Sequence, residues 1–325
     1  MGRFLKDTVR CGSFQSRFFA AILVLASSHC ISAQALVGSG STVPLSLYQT
    51  FAERYNARFP NKQMKYLPIG TSEGINNIQH NVGDFAAGEI PLMPKEMNDS
   101  GLIELPVAVV AIVPIYNLGM NPDLHFSGEV LAEIYMGHIK TWNDPKIARL
   151  NPDINLPDIP IIVFNRPAGK GSNYIFTDFL SKASRRFRQE IGVSASPSWP
   201  VGAPAERSSD IAEKVASTRG SLGYVELQYA IERHLSYGLV LNAAGNFIKA
   251  SRATLTAACE SVQKARWDYF AVSLTNAPGI ESFPIASFTW IYVKQTVGDH
   301  PRGVALAELL LWMLADGQSL ATQNG

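Results

Sequence analysis

Three glycine-rich turns carry the residues that could do chemistry in this sequence. They are residues 37–44 (VGSGSTVP), 67–75 (LPIGTSEGI) and 163–174 (VFNRPAGKGSNY), and each joins an apolar run to a helical pattern. A helix N-terminus presents free backbone N–H groups, glycine allows close approach of a ligand, and hydroxyls add donors. One such turn is what an ordinary helix cap needs. Three of them, one with Arg166 and Lys170, predict an anion site if their donors converge.

The residues that would support metal or covalent chemistry are sparse. The six histidines are scattered without H-x-x-x-H or H-E-x-x-H spacing, and neither a CxxC pair nor a Walker A motif occurs. Of the three cysteines only Cys259 lies beyond the N-terminal segment. We expect it to be a small buried residue and expect no internal disulfide. No metal or cofactor is predicted, and an enzyme is not expected.

Length and composition favour a globular protein with two lobes. The chain has 325 residues, 46% of them hydrophobic and 17% charged, with a formal net charge of +1. This length exceeds that of most single-core domains. The near-neutral charge argues against nucleic acid or an acidic membrane as the partner. Anion recognition must therefore be local.

The N-terminal residues 1–35 have the pattern of a cleavable signal peptide. A basic stretch precedes the apolar run 18–26, and small residues end at Ala33-Gln34-Ala35. The apolar run is too short to span a bilayer, and the residues before Cys30 fit a lipoprotein signal poorly. We expect cleavage near Ala35 and export of a protein that starts near Leu36.

Short β-branched runs alternate with amphipathic patterns through the rest of the chain. Residues 105–116, 159–164 and 288–293 read as strands, and 44–59, 174–180 and 304–314 read as helices. This alternation predicts an α/β fold with largely parallel sheets.

Four segments resemble the PstS family, the phosphate-binding proteins of ABC transporters. They are residues 131–152, 169–180, 199–202 and 220–226. The resemblance implies a two-lobed periplasmic binding protein fold of the Venus-flytrap type, with hinged sheets, flanking helices and a ligand cleft between the lobes. It places lobe 1 at residues 36–115 plus 239–325 and lobe 2 at residues 116–238, with crossings near Tyr116 and Tyr237.

The resemblance also maps the family's phosphate contacts onto the three turns. It implies donors to the anion from side chains and backbone, at Thr42, Val43, Thr71, Arg166, Lys170, Gly171 and Ser172. A family motif, whose second aspartate accepts a hydrogen bond from protonated phosphate, reads DFAAGEIPL here at residues 84–92, so the resemblance implies that Glu89 is the acceptor.

Two departures from the family pattern affect the charge of the predicted site. Ala168 stands where the family has an aspartate that pairs with the arginine, and Lys170 stands at a serine donor. Both changes should strengthen attraction to an anion and weaken discrimination. Whether Lys170 faces the anion or extends into solvent is left open by the sequence.

The function implied is that of a monomeric periplasmic protein that captures inorganic phosphate and delivers it to the permease of an ABC importer. Two alternatives use the same scaffold: a receptor for another oxyanion or a phosphorylated small molecule, and a phosphate sensor outside transport. A hydrolase of phosphate esters has least support, because metal ligands and a nucleophile–base pair are missing.

Overall fold

The computed structural model describes residues 35–120, 122–263 and 272–323. The predicted signal peptide, apart from Ala35, lies outside these ranges. The strands are β1 Leu36–Gly40, β2 Met64–Leu67, β3 Phe85–Gly88, β4 Leu102–Asn117, β5 His125–Phe126, β6 Ile162–Asn165, β7 Ala203–Pro204, β8 Ser221–Glu226, β9 Ser236–Tyr237, β10 Leu239–Leu241, β11 Phe247–Ile248 and β12 Ala286–Lys294.

The helices lie between and after these strands. They are α1 Leu45–Arg58, α2 Thr71–Gln79, α3 Pro94–Ser100, α4 Gly128–Tyr135, α5 Pro145–Leu150, α6 Gly171–Ala183, α7 Arg185–Glu190, α8 Ser208–Ser217, α9 Leu227–Glu232, α10 Arg252–Gln263, α11 His300–Leu314 and α12 Gln318–Gln323. Within the described ranges, none of these helices combines the length and the apolar character that a membrane span requires.

One mixed sheet runs through the described part of the chain. Its strand order is β2-β1-β3-β12-β4-β8-β6-β7, with β9 also paired to β4. The pairs that β1 makes with β2 and β3, and that β6 makes with β7 and β8, are parallel. The central pairs of β4 with β12 and β8 are antiparallel. The prediction of parallel sheets therefore holds toward both edges and not in the centre.

Strand β4 connects the two halves of this sheet. It pairs with β12 up to Ala111, opposite Ala286, and with β8 from Ile112, opposite Glu226. The change of partner within one 16-residue strand marks where the sheet passes from one half to the other. Strand β10, which we assigned to lobe 1, pairs with β5, which we assigned to lobe 2. The exact lobe limits stay a prediction.

The buried apolar residues that the structure describes form two clusters, a larger one with residues from both halves of the sheet and a smaller one. The smaller one packs α1 against β1, β3 and α11 through Tyr48, Phe51, Tyr55 and Trp312, with edge-on contacts of Trp312 to Phe51 and Tyr55. Helix α1, which lies within the predicted helix 44–59, buries Leu47, Tyr48, Phe51 and Tyr55 on one face. Burial of aromatic side chains on one face fixes the helix on the sheet, and so fixes the turn that precedes it.

Candidate anion-binding site

The parallel strands bring the predicted turns to shared edges of the sheet. Strands β1, β2 and β3 lie side by side, and the turns with Thr42, Thr71 and Glu89 follow their carboxyl ends. In the other half, Arg166 follows β6 directly. Carboxyl ends of neighbouring parallel strands meet at one edge, which is the usual place for a ligand in such sheets.

Glu89 forms the centre of the cluster. It is 0% exposed, and its Oε2 accepts hydrogen bonds from Ser41 Oγ at 2.8 Å and from Thr71 Oγ1 at 2.9 Å. Its Oε1 accepts from Thr289 Oγ1 at 3.2 Å. Sequence reasoning missed Ser41 and Thr289. Ser41 stands beside Thr42 in the first turn, whereas Thr289, inside a predicted strand, gave no signal.

Burial controls the charge of Glu89. Loss of hydration raises the pKa of this carboxyl group from 4.5 to about 7, although the hydrogen bonds from Ser41, Thr71 and Thr289 oppose the rise. The negative charge of Glu226 adds to it. A carboxyl group without a cationic partner in a dry environment holds its proton more tightly.

Arg166 spans the gap between the third turn and the first. It is 1% exposed, and its Nη2 donates to Thr42 Oγ1 at 3.3 Å and to the Glu206 carbonyl oxygen at 2.9 Å. Its Nη1 donates to Ser208 Oγ. Among the residues the structure describes, no carboxylate forms a salt bridge with it, as expected from Ala168. A carboxyl group that interacts with it electrostatically is that of the buried Glu226: burial raises the pKa of this group, and the charge of Arg166 opposes the rise.

Lys170 is buried rather than extended into solvent. It is 8% exposed, precedes α6, and forms an ion pair with the carboxylate of Glu206. Glu206 therefore contacts both cations of the third turn, Lys170 through its side chain and Arg166 through its carbonyl. The local sequence around Glu206 does not predict this role, because it depends on a tertiary contact.

The N-terminus of α6 faces Glu89 at close range. A Cβ on Gly171 would lie 1.7 Å from Glu89 Oε2 and 2.6 Å from Thr71 Oγ1, so only glycine fits. The next residue, Ser172, is 1% exposed, and its Oγ has no hydrogen-bond partner within the described ranges. A helix N-terminus with a spare hydroxyl suits an anionic oxygen.

Further contacts join the turns of the two halves. The backbone N–H of Ser72 donates to the Gly169 carbonyl at 3.3 Å, and Ser46 Oγ donates to Gln228 Oε1 at 2.6 Å. The backbone N–H of Val43, a predicted anion donor, instead donates to Ser41 Oγ at 3.0 Å. The structure therefore gathers all eight predicted residues in one region, with the donors of Val43 and Thr71 directed at Ser41 and Glu89.

Residues 70–74 spell G-x-S-x-G, the pattern of a hydrolase nucleophile elbow. That elbow holds its serine in a strained turn. Ser72 lies inside α2, and it is not among the non-glycine residues with positive φ, which in the described ranges are Asn81, His234 and Asn276. The match therefore reflects a glycine-rich helix start and gives no support to a hydrolase.

Known proteins resemble this chain over most of its length. Residues 27–316 match the PBP superfamily domain. The phosphate-binding protein PstS of Xylella fastidiosa strain 9a5c is 32% identical over 288 residues, 88% of this chain and 79% of that relative. The PstS of Pasteurella multocida is 32% identical over 305 residues, covering 93% and 88%.

Solved structures show the same architecture. A putative phosphate ABC transporter substrate-binding protein from Clostridium perfringens, with bound phosphate, superposes with a TM-score of 0.63 at 18% identity over 90% of this chain and 98% of that one. A phosphate transport receptor from Vibrio cholerae gives 0.60 at 18% identity over 89% and 98%. These likenesses confirm the predicted two-lobed α/β fold.

Proposed function

Because the chain belongs to the PstS family of phosphate-binding proteins within the PBP superfamily, we propose that it captures inorganic phosphate and delivers it to the permease of an ABC importer. Its similarity to a Vibrio cholerae protein described as an ABC-type phosphate transport receptor supports the transport role. We further propose that it acts in the periplasm as a monomer, after cleavage near Ala35.

One observation carries the ligand assignment: turns far apart in the chain meet around one buried acid and one buried arginine. Arg166 reaches Thr42, while Gly171 and Thr71 border Glu89. Donors that converge from separate turns distinguish an anion site from ordinary helix caps. Buried, preorganised donors with a guanidinium among them bind tetrahedral anions well.

We propose that Thr42, Val43, Thr71, Arg166, Lys170, Gly171 and Ser172 donate to the anion and that Glu89 accepts from it. The donors of Val43 and Thr71, which here are directed at Ser41 and Glu89, would turn to the anion when it binds. An ionised carboxylate can only accept, so it suits the P–OH of hydrogen phosphate. Sulfate has no such proton near neutral pH, so its oxygen would face the carboxylate without a hydrogen bond between them, which would cost about 1–3 kcal/mol. Glu89 is thereby proposed as the residue that prefers phosphate over sulfate.

Calorimetric titration of residues 36–325 with phosphate tests this function. We expect one tight site per chain in a protein first unfolded and refolded to remove bound ligand. Absence of heat at millimolar phosphate would contradict the proposal. Gel filtration of the same sample checks the monomer, and the mass of the protein secreted from the full-length gene checks the cleavage site.

The pairing of Lys170 with Glu206 favours a second candidate, a receptor for another oxyanion or a phosphorylated small molecule. The counter-ion of Lys170 can move away from it, since the Glu206 side chain is 69% exposed. Lys170 would then be free to contact a larger or more charged ligand. A competition panel with phosphate, arsenate, sulfate and sugar phosphates separates the two. Phosphate as the tightest ligand favours the first candidate.

A further inference from the structure

The carboxyl group of Glu89 lies among partners that satisfy either of its protonation states. Among the described residues, its three hydrogen-bond partners are the hydroxyls of Ser41, Thr71 and Thr289. A hydroxyl can donate or accept, because its hydrogen rotates freely. These partners stay satisfied when Glu89 gains or loses a proton. A lysine or arginine partner would have locked the charged form, and in the described part of the chain Glu89 has none.

The surrounding charges also leave this proton labile. Three tyrosines interact electrostatically with Glu89, namely Tyr48 on α1, Tyr66 on β2 and Tyr292 on β12. Burial raises the pKa of each phenol, so all three stay neutral. From β8, the ionised form of Glu226 disfavours ionisation of Glu89; burial raises the pKa of Glu226 as well, and the charge of Arg166 opposes that rise. The two cations of the third turn contact other groups, namely Thr42, Ser208 and Glu206.

We propose that the protonation state of Glu89 decides which class of oxyanion the site takes, and that proton-free oxyanions such as sulfate bind when Glu89 is protonated. The ionised carboxylate accepts a hydrogen bond from a protonated anion. The protonated carboxyl group donates its O–H to an anion that has no proton of its own. The inference rests on the proposed function, because it requires Glu89 to face the bound anion.

The proposal predicts how strongly the affinity for sulfate depends on pH. Sulfate stays fully ionised across the neutral range, so any pH dependence of its binding comes from the protein. Because burial raises the pKa of Glu89 to about 7, the protonated fraction falls about tenfold between pH 6 and pH 8. The affinity for sulfate should fall by the same factor. Binding at about pH 8 should take up close to one proton per sulfate.

Titration of the 36–325 protein with sulfate at about pH 6, 7 and 8 tests the inference. We expect the affinity to fall about tenfold across this range in the wild type and to stay constant in Glu89→Gln, whose amide donates at every pH. A flat profile in the wild type, or the same slope in Glu89→Gln, would overturn the proposal.

A second measurement needs no variant. Sulfate binding at about pH 8 is measured in two buffers with different ionisation enthalpies, and the difference in heat gives the protons taken up. Close to one proton supports the inference, and zero protons overturns it. Phosphate is titrated alongside: failure of phosphate to bind contradicts the proposed function, whereas phosphate binding without sulfate binding at any pH contradicts only this inference.

Discussion

Arg166 Nη2 lies 3.3 Å from Thr42 Oγ1, although 124 positions separate the two residues in the chain. This hydrogen bond joins the turn after β6 to the turn after β1, and so joins the two halves of the sheet at the proposed ligand. Ser208 and the Glu206 carbonyl hold the same guanidinium from the side of α8. Arg166 is therefore both a link between the halves and the main cation of the site.

Replacement of Arg166 by Ala should weaken phosphate binding at least about a hundredfold, because it removes a charge-assisted contact in a buried setting. Calorimetry gives the affinity. Arg166→Lys is the matched control: it keeps the charge but loses the planar fork, and should bind with intermediate affinity. Unchanged affinity in a folded Arg166→Ala protein would remove this residue from the site.

Replacement of Glu206 by Gln should strengthen phosphate binding several-fold. It releases Lys170, which is buried and whose one ion pair among the residues that the structure describes is with Glu206, so that the ammonium can turn to the anion. In a Lys170→Gln background the same change should have little effect, which makes a double-mutant cycle the appropriate measurement. Equal effects of Glu206→Gln in both backgrounds would show that Lys170 does not act on the ligand.

Replacement of Gly171 by Ala should destabilise the fold and weaken binding, because the new methyl would lie 1.7 Å from Glu89 Oε2. Overpacking of this kind costs about 1–3 kcal/mol. Thermal unfolding and phosphate titration measure the two effects. The control is Gly298→Ala, where an added Cβ meets nothing within 4 Å. Equal behaviour of the two variants would contradict the close packing of α6 on Glu89.

The stability of the protein should depend on the proton of Glu89. The folded-state pKa of about 7 lies above the ordinary 4.5, so the folded state binds this proton more tightly than the unfolded state. The free energy of unfolding should therefore fall as pH rises from about 4.5 to about 7, by about 3 kcal/mol at most from this group, and stay level above that.

Urea unfolding at several pH values checks this dependence, with phosphate absent. Glu89→Gln serves as the reference, because its amide does not titrate. The difference between wild type and variant should grow in favour of the wild type as pH falls. A difference that is constant with pH would show that burial does not perturb Glu89.

The sequence predicted the alternation of strands and helices and the positions of the three turns, since both follow from local patterns of apolar, glycine and hydroxyl residues. It could not predict that Glu89 accepts from Thr289, which lies 200 residues away. Nor could it show that Glu206 contacts both Lys170 and Arg166. Such contacts depend on how the two halves of the sheet are placed side by side. Strand β4 determines that placement, because it pairs with β12 in one half and with β8 in the other.

A crystal structure of the 36–325 protein grown with phosphate would show whether the anion binds where we propose. We expect one phosphate between the halves, within hydrogen-bond distance of Arg166, Thr71, the Gly171 backbone and Ser172 Oγ, with one oxygen facing Glu89. Phosphate bound elsewhere, or a fully occupied site without contact to Arg166 and Glu89, would contradict it.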